Sequence, residues 1–151
     1  MAEKDNHVVY ERMEFLKDEL LNDLHPKTLK SIQDKINLLK SSSISNDFLK
    51  IGDRAPDFVI ANPVGKKIKL SHLVKNGKLV LSFIRGGWCP YCYLELRAYQ
   101  KVLTQIQALG AGVIAISSER PDYCLNTMDR NALQFEVLSD RGNKVAQKYN
   151  L

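Results

Sequence analysis

Leu79-Val80-Leu81-Ser82-Phe83-Ile84, followed by Arg85-Gly86-Gly87-Trp88-Cys89-Pro90-Tyr91-Cys92-Tyr93-Leu94-Glu95-Leu96-Arg97, is the stretch that decides the fold. The first six residues form an almost continuous apolar run, the pattern of a strand covered on both faces. Two glycines then allow a sharp turn, and Pro90 suits a first helical turn, where its missing N–H is not needed. The helical pattern that begins near Tyr91 runs to Leu109 and is terminated by Gly110. Val113-Ile114-Ala115-Ile116 then repeats the apolar run, so strand, helix and strand make a parallel crossover. Further on, Pro121 to Arg130 reads as a helix, Phe135 to Leu138 as a third core strand, and Asn143 to Tyr149 as the start of a helix after the Asp140-Arg141-Gly142 turn. This alternation predicts an α/β domain, an open parallel sheet with helices on both faces.

Before that core, Asp57 to Ala61 and Lys67 to Leu70 alternate around Asn62-Pro63-Val64-Gly65 and predict a hairpin. Earlier still, Tyr10, Met13, Leu16, Leu20, Leu21 and Leu24, then Leu29, Ile32, Ile36 and Leu39, fall at helical spacing. Ser41-Ser42-Ser43 and Ser45-Asn46 supply a polar break after them. Residues 1–46 are therefore expected to be a helical N-terminal extension and residues 47–151 the α/β domain. The two apolar stripes suit either a partner surface or a cap over the following domain.

The chain has 151 residues, 44% hydrophobic and 26% charged, enough for one domain with a core and too few for two ordinary ones. No run approaches the ~20 apolar residues of a membrane span, and Met1 to Glu14 is polar where a secretory signal carries an apolar block. No membrane association is expected, and the expected address is the cytoplasm. The net charge of +5 is spread along the chain with only Lys66, Lys67 and Lys69 clustered. That is a poor match to a nucleic-acid face, and the cluster is better read as charges protecting a strand edge. Three cysteines, an odd number, do not form the framework of a small secreted fold, so chemistry is sought at the thiols.

The pair Cys89 and Cys92 lies where a buried strand ends and a helix begins, the place where open α/β sheets carry their sites. Unpaired backbone N–H groups, the positive end of the helix dipole and the nearby Arg85 guanidinium all favour thiolate over thiol. A depressed cysteine pKa is therefore predicted. Two cysteines on one turn can also close a disulfide with each other. A c-type haem site needs His after Cys92, where the chain has Tyr93. A structural zinc site needs four ligands, and Cys124, His7, His25 and His72 offer no paired spacing. No metal or other cofactor is implied.

The stretch from Lys50 to Leu151 resembles the peroxiredoxin family, in particular the alkyl hydroperoxide reductase/thiol-specific antioxidant group and its members with an Arg-Gly-Gly-Trp-Cys-Pro-x-Cys motif. The resemblance covers Gly52-Asp53-Arg54-Ala55-Pro56-Asp57-Phe58, the strand to Ile84, the cysteine motif through Leu96, Val113 to Ser118, and Phe135 to Asp140 with Val145-Ala146 and Tyr149. It implies a thioredoxin-like fold of peroxiredoxin type, a parallel-core sheet with flanking helices. Laid on this chain, the family's Pro-x-x-x-Thr-x-x-Cys-x-x-Glu pattern falls on Arg85, Cys89, Cys92 and Glu95. The peroxidatic position is then Cys92, with Cys89 resolving its sulfenic acid to a disulfide and Glu95 an orienting partner. Cys89 standing for the family's Thr and Arg85 for its Pro mixes this pattern with the CxxC of thioredoxin-like and glutaredoxin-like proteins, where Cys89 attacks first.

Arg85 suits the stabilisation of thiolate and peroxide alike, since a planar fork of donors matches a developing anion. Trp88 reads as pocket wall or core, Arg97 as a surface or ion-pairing residue, and Cys124 as a half-buried thiol outside the chemistry. The expected activity is a thiol-dependent peroxidase acting on hydrogen peroxide or organic hydroperoxides and recycled by a thioredoxin- or glutathione-type reductant. The alternatives are a thiol-disulfide oxidoreductase and a redoxin domain without catalysis. Peroxiredoxins carry further strands beyond the position of Leu151, so a sheet short of them and a homo-oligomer that covers its exposed edge are expected.

Overall fold

A computed structural model describes residues 2–22, 24–42 and 48–151, and side chains in all of these except residues 2–10 and 20. The polar break at Ser43 to Asn46, and with it the expected boundary between residues 46 and 47, lies outside the described residues. So do the side chains of Tyr10 and Leu20. The chain divides into two compact units, Met1–Asp53 and Arg54–Tyr149.

The first unit contains helices α1 (Ala2–Asn22) and α2 (Pro26–Ser41). α1 begins at Ala2 rather than at the Tyr10 where the apolar repeat starts, because residues such as Ala2, Glu3 and Lys4 propagate a helix without needing a face to bury. Pro26 opens α2, and His25 caps it by accepting the Lys27 N–H at 3.3 Å on Nδ1. No residue of α2 is buried, and Leu38 and Leu39 are exposed.

In the second unit β1 (Val59–Ala61) and β2 (Lys67–Lys69) form the expected antiparallel hairpin, with Ile60 opposite Ile68. Asn62 organises its turn: the Lys66 N–H reaches Asn62 Oδ1 at 2.8 Å, and Asn62 Nδ2 donates to Glu136 Oε1 at 3.0 Å. A short helix, α3 (Leu70–Leu73), leads into β3 (Lys78–Ile84), α4 (Pro90–Ala108), β4 (Ala111–Ser117), α5 (Pro121–Arg130), β5 (Glu136–Ser139) and α6 (Lys144–Lys148). The sheet order is β3-β4-β5, all parallel, with Leu81 opposite Ile114 and Ile114 opposite Glu136.

Alternation along the strands sorts the core into two layers. Val113, Ala115 and Val137 pack with Cys92, Leu96 and Leu103 of α4 and Cys124 of α5, whereas Ile114, Ile116 and Leu138 pack with Phe58, Ile68, Leu70, Val145 and Tyr149. Both crossover helices therefore lie on one face. The other face is covered by the hairpin, α3 and α6 rather than by long helices, because strands added successively in one direction send like-handed connections to the same side. The apolar run of β3 turns out to be an edge of this sheet, its side chains mostly half-buried, while β4 is the central strand, buried from Val113 onward. On the second face Tyr149 stacks against Phe83 at 5.1 Å between ring centres and donates its hydroxyl to the Pro56 carbonyl at 2.9 Å. Each fully buried aliphatic side chain, such as Leu96 or Val137, contributes about 1.5–3 kcal/mol.

Among the described residues no helix is long and apolar enough to cross a membrane, and no group of three or more His, Cys, Asp or Glu side chains is placed to hold a metal ion.

Candidate active site

β3 ends at Ile84, and the chain turns through Arg85-Gly86-Gly87-Trp88 into α4, whose N-cap is Cys89 and whose first residue is Pro90. The turn closes with the Cys89 N–H on the Gly86 carbonyl at 3.1 Å. Gly86 sits at φ 147°, in the region that favours glycine, and a Cβ there would lie 2.6 Å from Trp88 Nε1 and from the carboxyl carbon of Glu119. At Gly87 an added Cβ would overlap the hydroxyl of buried Thr127 on α5. The Gly87 N–H donates to Glu119 Oε2 at 2.8 Å. Thus the two glycines let the cysteine loop press against the β4–α5 connection, and Glu119 fixes it there.

This close approach makes a prediction. Gly87→Ala must push Thr127 or the loop aside, at a cost of about 1–3 kcal/mol, and its thermal midpoint should fall by several degrees. A variant melting with the wild type would contradict the contact.

Cys89 has no exposed surface and Cys92 is 8% exposed. Arg85 Nη2 donates to Cys89 Sγ at 2.9 Å, and the Arg85 guanidinium also stacks over the Trp88 ring, 5.5 Å from its centre. Burial pushes the Cys89 thiol up, but hydrogen bonds from the Cys92 thiol and backbone N–H, together with the Arg85 donor and its charge, outweigh it and hold Cys89 below the ordinary thiol value. Cys92 moves the other way: burial and then its bond to Cys89 push it up, with the negative charge on Cys89 adding to the effect. The bond to Cys89 likewise raises Arg85. The arrangement thus favours the thiolate at Cys89, one turn before the Cys92 that the family pattern selects, and disfavours it at Cys92.

Glu95 is one turn further along α4, where it accepts the Ser82 hydroxyl at 2.7 Å and so joins α4 to β3 beneath the loop. It also raises the Tyr99 hydroxyl, after burial, by its charge. Trp88 is neither core nor closed wall: it is 67% exposed and borders two clefts. One, of about 380 Å³, is lined by Arg85, Ser117, Ser118, Asp140 and Asn143; the other, of about 600 Å³, lies between α4 and α5 and includes Arg97.

Cys124 is fully buried rather than half-buried, its Sγ 3.8 Å from the carbonyls of Glu119 and Leu138. Burial, with Glu119 and Asp122 nearby, pushes its thiol up to about 11. In the native protein at pH 8, iodoacetamide should therefore spare Cys124 and modify it only after unfolding. Peptide mass spectrometry reads this directly, and labelling of Cys124 as fast in the native protein as in the unfolded one would refute the assignment.

Sequence reasoning missed Glu119 and Thr127. The available signal was positional: Glu119 follows β4 at the same carboxyl-terminal edge of the sheet as the cysteine loop, where sites of open α/β folds collect.

The profile of the AhpC/TSA family matches residues 51–151. Thiol-disulfide oxidoreductase ResA of Bacillus thuringiensis (strain Al Hakam) is 31% identical over 104 residues, 68% of this chain and 59% of that protein. Chloroplastic peroxiredoxin Q of Populus jackii is 28% identical over 119 residues, 77% of this chain and 55% of that protein. The chain thus spans less than two thirds of the length of these relatives. Among solved structures, the peroxidoxin BcpB of Mycobacterium tuberculosis superposes with a TM-score of 0.64 at 23% identity, covering 66% of this chain and 65% of that one.

Proposed function

Because the chain belongs to the AhpC/TSA family, we propose that it is a thiol-dependent peroxidase in which the Cys89 thiolate attacks the peroxide and Cys92 resolves the product. The observation that carries this reading is the 2.9 Å contact from Arg85 Nη2 to Cys89 Sγ. A guanidinium there stabilises the thiolate, and as the O–O bond breaks the same fork can bond the oxygen that leaves with the electron pair. The steps balance. Cys89 sulfur takes one peroxide oxygen and becomes a sulfenic acid; the departing alkoxide or hydroxide takes a proton and leaves as alcohol or water. The Cys92 thiol, kept protonated until then, loses its proton as its sulfur attacks that of Cys89, releasing water and forming the disulfide. A thioredoxin- or glutathione-type thiol then returns two electrons.

Resemblance to the family pattern assigns the attack to Cys92; the distribution of charge supports Cys89. Glu95, bonded to Ser82, serves in this reading as a positioning residue that sets α4 against β3. Mass spectrometry after one equivalent of hydrogen peroxide tests the order of attack in Cys92→Ser, where a sulfenic acid trapped by dimedone should sit on Cys89. No adduct on Cys89 in that variant would overturn it.

A second reading, exchange with disulfide substrates, is favoured by the charge on the first cysteine of the pair and by the 31% identity to a thiol-disulfide oxidoreductase. Insulin reduction at rates exceeding peroxide consumption would select it.

A further inference from the structure

Tyr123, Asn126, Thr127 and Arg130 recur at helical spacing on α5 and form one wall of the 600 Å³ cleft; Tyr93 and Arg97, one turn apart on α4, form the other. Trp88 and Gly87 bound the same space, so the cleft abuts the loop that carries Cys89. Its volume is that of a small-molecule site. Arg97 and Arg130 make no ion pair among the described residues. Glu119, the acidic residue of the lining, has one carboxylate oxygen engaged by the Gly87 N–H. Two unpaired guanidinium groups beside exposed Trp88 and Tyr123 suit a ligand with carboxylates and a body that can lie on aromatic faces.

Building on the peroxidase reading, we infer that this cleft binds the electron donor, and that the donor is a low-molecular-weight thiol carrying carboxylates, held by Arg97 and Arg130 with its body against Trp88 and Tyr123. Neither sulfur lines the cleft and Cys89 has no exposed surface, so the Gly86-Gly87-Trp88 loop between cleft and sulfur must shift for a donor sulfur to reach Cys89, and a small thiol needs a narrower opening than a cysteine borne on a protein. The donor's thiolate attacks Cys89 sulfur, breaking its bond to Cys92 and forming a mixed disulfide; Cys92 departs with the electron pair and takes a proton. A second donor attacks the mixed disulfide at its own kind of sulfur, releases the donor disulfide and leaves Cys89 as thiolate on Arg85.

The test starts from protein oxidised with diamide, so that it does not depend on any reaction with peroxide. Return of protein thiols is followed with glutathione, a tripeptide thiol with two carboxylates, and with cysteamine, which has none. Wild type should show saturation with glutathione, and S-methylglutathione, which cannot react, should compete. In Arg97→Gln/Arg130→Gln the preference for glutathione over cysteamine should fall at least about tenfold through weaker half-saturation, whereas Arg97→Lys should retain part of it. An unchanged preference, a rate linear in glutathione without competition, or rapid reduction by thioredoxin alone would overturn the inference. Failure of the peroxidase reading would show elsewhere, as a lack of reaction between reduced protein and peroxide.

Discussion

Cys89→Ser should abolish rapid oxidation by hydrogen peroxide, leaving a rate at least ~10³-fold below wild type, because removing the attacking atom removes the reaction that the rest of the site serves. Cys92→Ser should keep a fast first oxidation and lose turnover through the internal disulfide, since its remaining sulfur can form a sulfenic acid but has no neighbour to resolve it. The asymmetry is what the proposed roles predict: Arg85 donates to Cys89 at 2.9 Å, whereas burial and then the bond to Cys89 raise the Cys92 thiol. Stopped-flow measurement of peroxide consumption in the two variants decides the matter. Fast first-turnover oxidation in Cys89→Ser with none in Cys92→Ser would return the attack to Cys92.

Arg85→Met should slow oxidation by roughly 10–100-fold, about what a hydrogen bond between charged partners contributes, and should move the pH profile as well. The sign follows from the thiolate. Since Cys89 lies below the ordinary thiol value, the wild-type rate rises with pH through a midpoint lower than that of a free thiol. Without the guanidinium, burial remains and its partner charge is gone, so the rise shifts to higher pH. Linkage gives the same sign for stability, because a lowered folded-state pKa contributes stability above the unfolded value, and that contribution is lost as pH falls through the folded one. Arg85→Lys keeps the charge without the planar fork and should fall between wild type and Met. A profile unchanged in Arg85→Met would remove Arg85 from the chemistry.

Much of this protein was legible along the chain because its signals are local. A continuous apolar run, a glycine pair, a proline at the first helical position and a terminal glycine define strand, turn, helix and stop within consecutive residues. The same applies to the hairpin around Asn62 and to the placing of Cys89 and Cys92 at a helix start. The start of α1 was not legible, since Ala2-Glu3-Lys4-Asp5-Asn6-His7 carries no apolar repeat to read.

What the sequence determined by itself, then, was the order of elements and the pairing of two thiols with an arginine at the head of a helix, because backbone preferences and short spacings fix those things. Only the tertiary structure separates the two thiols, lowering Cys89 and raising Cys92, since that depends on where the Arg85 side chain reaches and how far each sulfur is withdrawn from water. It also decided why both glycines are needed: Glu119 and Thr127 meet the loop from another strand–helix connection, a proximity set by the order of strands in the sheet, which no local pattern encodes.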